Sequence, residues 1–188
     1  MPPVVVYDAC VLFPAPLRDL LLRLADAELV RARWSETILD EVFRNLVRVR
    51  PDLDPARLAR TRTLMRRALP DCIVEGFEPL IGDIELPDPG DRHVVAAAKH
   101  ANASLIVTSN LRDFPDEALA PLGLLAVHPD DLVLDLVEES PGVVHRVLAE
   151  QVGALKNPPM SVADLLAALE RSGLPGSVAK LRSQLKLA

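Results

Sequence analysis

Val4-Val5-Val6-Tyr7-Asp8-Ala9-Cys10-Val11-Leu12 is a β-branched apolar run that stops on a carboxylate. Three consecutive valines favour an extended strand, and an unbroken apolar run suits one covered on both faces. In open α/β sheets, sites form outside the carboxyl ends of the strands. Asp8 is therefore placed where a site would lie. The same arrangement returns downstream: Leu105-Ile106-Val107-Thr108 is a second apolar run, followed closely by Ser109, Asn110 and Asp113. Between the two, Asp91 opens the helix-like segment Asp91-Arg92-His93-Val94-Val95-Ala96-Ala97-Ala98.

Working outward from Val4–Tyr7, strand and helix signals alternate. Leu17, Leu20, Leu21, Leu24 and Ala25 recur at helical spacing after Pro14 and Pro16. Residues 29–33 read as a second strand. Ser35 is placed to cap a helix through about residue 47, with Ile38, Leu39, Val42 and Leu46 on its apolar face. Pro51 stops it, and Asp54-Pro55 starts the next helix in cap-then-proline order. Leu58, Leu64, Met65 and Ala68 are its expected buried face, and Pro70 its end. Residues 72–75 read as a third strand. In Asp88-Pro89-Gly90-Asp91, Asp88 is the expected cap of a helix running to about Ala101. Residues 105–107 and 124–127 are the last two strands. Strands joined by helical crossovers imply an α/β fold, a three-layer sandwich whose central parallel sheet is flanked by helices.

From about Pro129 no strand signal remains. Leu132, Val133, Leu136 and Val137 suggest one helix, and Val143, Val144, Val147, Leu148 and Val152 a second. Ser161 caps a third, closed by Gly173, and a turn at residues 174–176 precedes a last helix marked by Val178, Leu181 and Leu185. The chain thus divides into an α/β domain over residues 1–128 and a helical extension over residues 129–188.

With 188 residues, 49% hydrophobic but only 3% aromatic, the chain has room for a core, and that core must be aliphatic. No apolar run reaches the length of a membrane span. The start, Met1-Pro2-Pro3, lacks the basic flank of a signal peptide. Two cysteines, Cys10 and Cys72, make neither a disulfide framework nor a metal-ligand pattern. The expectation is a soluble cytoplasmic protein. A net charge of −6 argues against a generally basic nucleic-acid binder. The positive charge is nevertheless concentrated: Arg44, Arg48, Arg50, Arg57, Arg60, Arg62, Arg66 and Arg67 share one stretch. A basic flank beside an acidic centre suits a polyanion, with Arg44, Arg48 and Arg60 as candidate contacts to its backbone.

Asp8, Glu41, Asp91 and Asp113 converge in such a fold. A cluster of carboxylates repels itself unless cations neutralise it, and all-oxygen ligation suits Mg²⁺ or Mn²⁺. Glu41 rather than Asp40 is the inward acid of its helix, since it shares a face with Ile38 and Asn45. Asp88 is a possible accessory, because either Asp88 or Asp91 could face a metal while also serving helix-start chemistry. Thr108 and Asn110 are placed to position a phosphate or a water.

The stretches Val5-Val6-Tyr7-Asp8-Ala9-Cys10, Ser35 to Leu46 around Glu41, Leu86-Pro87-Asp88-Pro89-Gly90-Asp91-Arg92-His93 and Ile106-Val107-Thr108-Ser109-Asn110-Leu111-Arg112-Asp113 together resemble the PIN-domain family, in particular VapC-type toxins. The resemblance covers about residues 4–128. It implies an Mg²⁺- or Mn²⁺-dependent endoribonuclease with Asp8, Glu41 and Asp91 as its acidic core, the toxin of a type II toxin–antitoxin pair. It further implies a cognate antitoxin, homodimers, and RNA such as tRNA as target. The family commonly has Asp where Asn110 stands, so either Asn110 or Asp113 completes the site. The extension beyond residue 128 is similar to the helical C-terminal segments of some toxin-like members. Two other readings compete. One is a non-catalytic RNA-binding or regulatory module. The other is a receiver-like protein with Asp8 as phosphoacceptor, which lacks a suitable lysine because Lys99 lies well inside a helix.

Overall fold

The computed structural model describes residues 1–186. Five strands, β1 Val4–Tyr7, β2 Arg31–Ser35, β3 Ile73–Val74, β4 Leu105–Val107 and β5 Leu125–Val127, form a single sheet in the order β3-β2-β1-β4-β5. Every pairing is parallel. The strands are joined by α1 Ala9–Leu12 and α2 Ala15–Asp26, then α3 Glu36–Val49 and α4 Pro55–Arg66, then α5 Arg92–His100, then α6 Asp116–Leu119. Right-handed crossovers place α2 to α4 on one face of such a sheet and α5 on the other. Val5, Val6 and Tyr7 are wholly buried, as a central strand covered on both faces requires. The chain order reverses between β1 and β4, and Asp8 and Thr108 leave the sheet side by side at that point.

Local chemistry explains the element starts. Asp8 accepts a hydrogen bond from Ala9 N at 2.6 Å and so opens α1, a short helix that the sequence reading did not anticipate. Ser35 Oγ accepts from Ile38 N at 3.2 Å, and Asp54 from Ala56 N at 2.9 Å ahead of Pro55. Strand β2 runs from Arg31 to Ser35 rather than over residues 29–33. Glu28, with φ of 61°, turns the chain out of α2, and pairing with β1 begins only at Arg31 opposite Val4. The burial expected of α4 is also corrected. Met65 is buried and Leu58 partly so, but Leu64 is 60% exposed and Ala68 is exposed. This helix lies outside α3 and is tied to it through charge: Arg62 bridges Glu36 and Asp40 at 2.6 Å each, and Arg66 reaches Glu36 at 2.6 Å.

After β5 come α7 Pro129–Glu139, α8 Pro141–Ala154, α9 Val162–Arg171 and α10 Pro175–Leu185. Ser161 and Asp164 form a reciprocal capping box at the start of α9. The expected turn at residues 174–176 is instead largely the first turn of α10, with Pro175 at its first position. Helices α8 and α9 pack against α2, and Gln151 Nε2 donates to Pro16 O at 2.9 Å across that seam. No helix among the described residues is long and apolar enough to cross a membrane.

Candidate active site

The acids reach one place from four directions. Asp8 follows β1, Glu41 sits one turn into α3, Asp91 begins α5, and Asn110 and Asp113 follow β4. Asp8, Glu41, Asp91 and Asn110 line a cleft of about 430 Å³ together with Cys10, Phe13, Asn45 and Arg48. Oxygens of Asp88, Asp91 and Asp113 all lie within 4.8 Å of one another. Asp91 belongs to both sets and is their junction.

Asp8 is buried, and both of its carboxylate oxygens accept hydrogen bonds. Its Oδ1 accepts from Ala9 N, and its Oδ2 accepts from Thr108 Oγ1 at 2.7 Å and from Cys10 Sγ at 3.1 Å. Burial, followed by the charge of Asp8, pushes the Cys10 thiol up to about 12, so it acts as a hydrogen-bond donor and not as a thiolate. Thr108 is wholly buried. Its hydroxyl orients Asp8 and accepts from Asn110 N at 3.0 Å, which keeps it from the open cleft where a phosphate would lie. The Asn110 amide donates to Asp113 Oδ2. Asp88 Oδ1 accepts from Gly90 N at 2.7 Å and caps the 3₁₀ turn Pro89–Asp91, so the α-helix proper starts at Arg92.

The Asp91 carboxyl is raised to about 6, first by burial and then by the charges of Asp8, Asp88, Asp113 and Glu41. Those four are the carboxylates singled out from the sequence. Each pushes against Asp91, and among the described residues no cation figures in what sets its carboxyl. The donor set is all oxygen once Cys10 is excluded as a thiolate. Such a set fits a hard divalent cation.

The arginines divide. Arg48 lines the cleft, one turn beyond Arg44 on α3. Arg44 and Arg60 are exposed, and neither lines the cleft. Arg50, Arg62 and Arg66 are tied to Asp52, Glu36 and Asp40. His93 was missed by the sequence reading. It is buried, and its Nε2 lies 3.0 Å from Glu41 Oε1. Its place two residues after Asp91, at the head of the apolar run Val94 to Ala98, is the available signal.

Comparison with known proteins follows the same lines. Residues 4–112 match the family model described as PIN domain, and residues 129–183 match one described as VapC50 C-terminal domain. A Mycobacterium tuberculosis protein named "Putative ribonuclease VapC50" is 42% identical over 92 residues, which is 49% of this chain and 54% of that protein. The match thus spans about half the length of the curated relative. No solved structure gives a significant match.

Proposed function

The chain belongs to the PIN-domain family, and from that premise we propose that it is a divalent-metal-dependent endoribonuclease, the toxin of a type II toxin–antitoxin pair. The observation that carries the reading is Asp91, held at about 6 by burial and four surrounding carboxylates at the reversal point of a parallel sheet. A structure keeps so unfavourable a cluster where a ligand relieves it. The relative's name, which includes the word ribonuclease, agrees with this.

Asp8 and Asp91 would hold Mg²⁺ or Mn²⁺, with Glu41 and Asp113 directly or through water and Asp88 as an accessory. When bound, such a cation polarises a scissile phosphate and lowers the pKa of an attacking water. The chain's own groups prepare that chemistry. Thr108 and Cys10 fix Asp8 by two hydrogen bonds to one oxygen. Asn110 directs the Asp113 carboxylate, so the position where the family commonly has an acid is served by an amide that orients a neighbouring acid. Arg48, at the cleft edge, is placed to meet the phosphate backbone.

An antitoxin, a homodimeric assembly and tRNA as substrate belong to the same proposal. The test is cleavage of RNA by wild-type protein and by a folded Asp8→Asn variant. Loss of discrete cleavage in the variant is expected, and equal activity in the two would remove Asp8 from the chemistry.

A further inference from the structure

We propose that His93 is a positioning residue for Glu41, so that the cation affinity of the cleft depends on a histidine outside the set of carboxylates. The proposal rests on the reading of the cleft as a divalent-cation centre and names a residue that the reading does not need. His93 stands in the first turn of α5 and is 7% exposed. Its Nε2 is 3.0 Å from Glu41 Oε1, a contact between residues 52 positions apart that joins α5 to α3. A carboxylate oxygen only accepts, so Nε2 carries the hydrogen.

The other ring nitrogen gives the second observation. Nδ1 is buried and has no hydrogen-bond partner among the described residues. Buried polar atoms are nearly always paired. The buried ring is thus tied to its surroundings by a single polar contact, made by the other nitrogen. Here the other nitrogen does one thing, which is to donate to Glu41.

Glu41 needs such a hold. It sits on the flank of α3, its side chain 28% exposed, with Asp8 and Asp91 lining the same cleft. Like charges drive it outward, and a glutamate side chain has the rotamer freedom to follow. The imidazole N–H opposes that movement from the helix that also carries Asp91. The link therefore sets the spacing between acids borne on two different helices. Partners that orient ligating carboxylates are general supports of metal sites.

The experiment is calorimetric titration of the full chain with Mn²⁺ alone, for wild type, His93→Phe and His93→Gln, with the melting temperature of each. His93→Phe keeps a ring and removes the donor. His93→Gln keeps an N–H that can reach the same oxygen. A Kd for Mn²⁺ raised about tenfold in His93→Phe and largely restored in His93→Gln is expected. The ion concentration for half-maximal RNA cleavage should move in parallel, with a smaller change in rate at saturating ion. In a Glu41→Ala background, His93→Phe should leave the Kd unchanged. If His93→Phe does not fold, His93→Asn, whose shorter amide cannot span the gap, takes its place. Wild-type affinity in a folded donor-less variant overturns the proposal. So does an equal loss in both variants that only tracks their melting temperatures. A wild-type protein that binds no Mn²⁺ overturns the cation centre itself, which the wild type alone decides.

Discussion

Asp91 is a residue whose environment opposes its charge. Its carboxyl is raised from 3.8 to about 6, so between those values the folded chain binds more protons at this position than the unfolded chain does. The sign follows from linkage: the cation-free protein loses stability as pH rises from about 4 through 6, and the penalty is complete above 6. Because the group is only about half buried, screening reduces the cost to roughly 1–2 kcal/mol. Asp91→Asn should therefore raise the melting temperature of cation-free protein at pH 7.5 by several degrees. The gain should shrink as pH falls towards 4, and scanning calorimetry at both pH values reads it directly. Thr108 makes a different case. Its hydroxyl is buried and serves both Asp8 and Asn110 N. Thr108→Val should slow RNA cleavage by about 10–100-fold and Thr108→Ser should recover most of it, as expected for the support of a ligand. The placement of Asp8, Asp91 and Asp113 was legible in the sequence because each follows a strand or opens a helix, and that of Glu41 because it shares a helix face with Ile38 and Asn45. His93 and the Cys10 contact to Asp8 Oδ2 were not readable as such. The His93 link depends on how α3 and α5 approach across the sheet, and no local spacing encodes that approach.

At the scale of elements, the α3–α4 pair shows why a count of arginines overstates a nucleic-acid surface. Three of the eight arginines in that stretch are committed to Glu36, Asp40 and Asp52. Arg62 holds the two helices together and is only 31% exposed. Arg48 faces the cleft. Arg48→Ala should weaken RNA binding and lower the slope of log affinity against log salt by about 1. Arg62→Ala should leave that slope unchanged and cost about 1 kcal/mol or less of stability. Filter binding across a salt series separates the two. The start of α10 is a second such joint. Leu174 gives the helix no side-chain cap, and Asp130 of α7 supplies one instead, accepting from Gly176 N and Ser177 N at 2.8 Å and from Ser177 Oγ at 2.6 Å. Gly176 permits this approach, since a Cβ there would stand 3.1 Å from Asp130 Oδ2. Asp130→Ala should destabilise the protein by about 1–3 kcal/mol in urea unfolding. The capping serines and the Asp54-Pro55 start of α4 were visible in the sequence, because caps are local, whereas the Pro175-led start of α10 read as a turn. The exposed face of α4 was misjudged: leucine and alanine at helical spacing mark a face able to be buried, and whether anything covers it is decided elsewhere.

At the scale of the molecule, the helices after residue 128 are part of how α2 is buried. Leu17, Leu20, Leu21 and Leu24 are all wholly buried, and α2 packs against α8 and α9 as well as against β2. Removing residues 131–188 uncovers apolar surface on α2. The shortened chain is expected to melt at lower temperature and to bind an apolar dye such as ANS, both measurable beside the full chain. Should it fold regardless, unchanged antitoxin affinity would assign the extension to packing alone. The parallel sheet and its crossovers were readable from alternating strand and helix signals. The docking of α8 and α9 on α2 was not, because an amphipathic helix announces that one face is buried without naming its neighbour. The measurement that bears most directly on the whole is a Mg²⁺ or Mn²⁺ titration of the purified full chain with total RNA and with tRNA, using EDTA and Asp8→Asn as controls. Discrete fragments that rise with the ion and vanish in both controls are expected. Folded, cation-loaded protein that leaves both RNA pools intact, or cleavage that persists in EDTA, would contradict a metal-dependent ribonuclease.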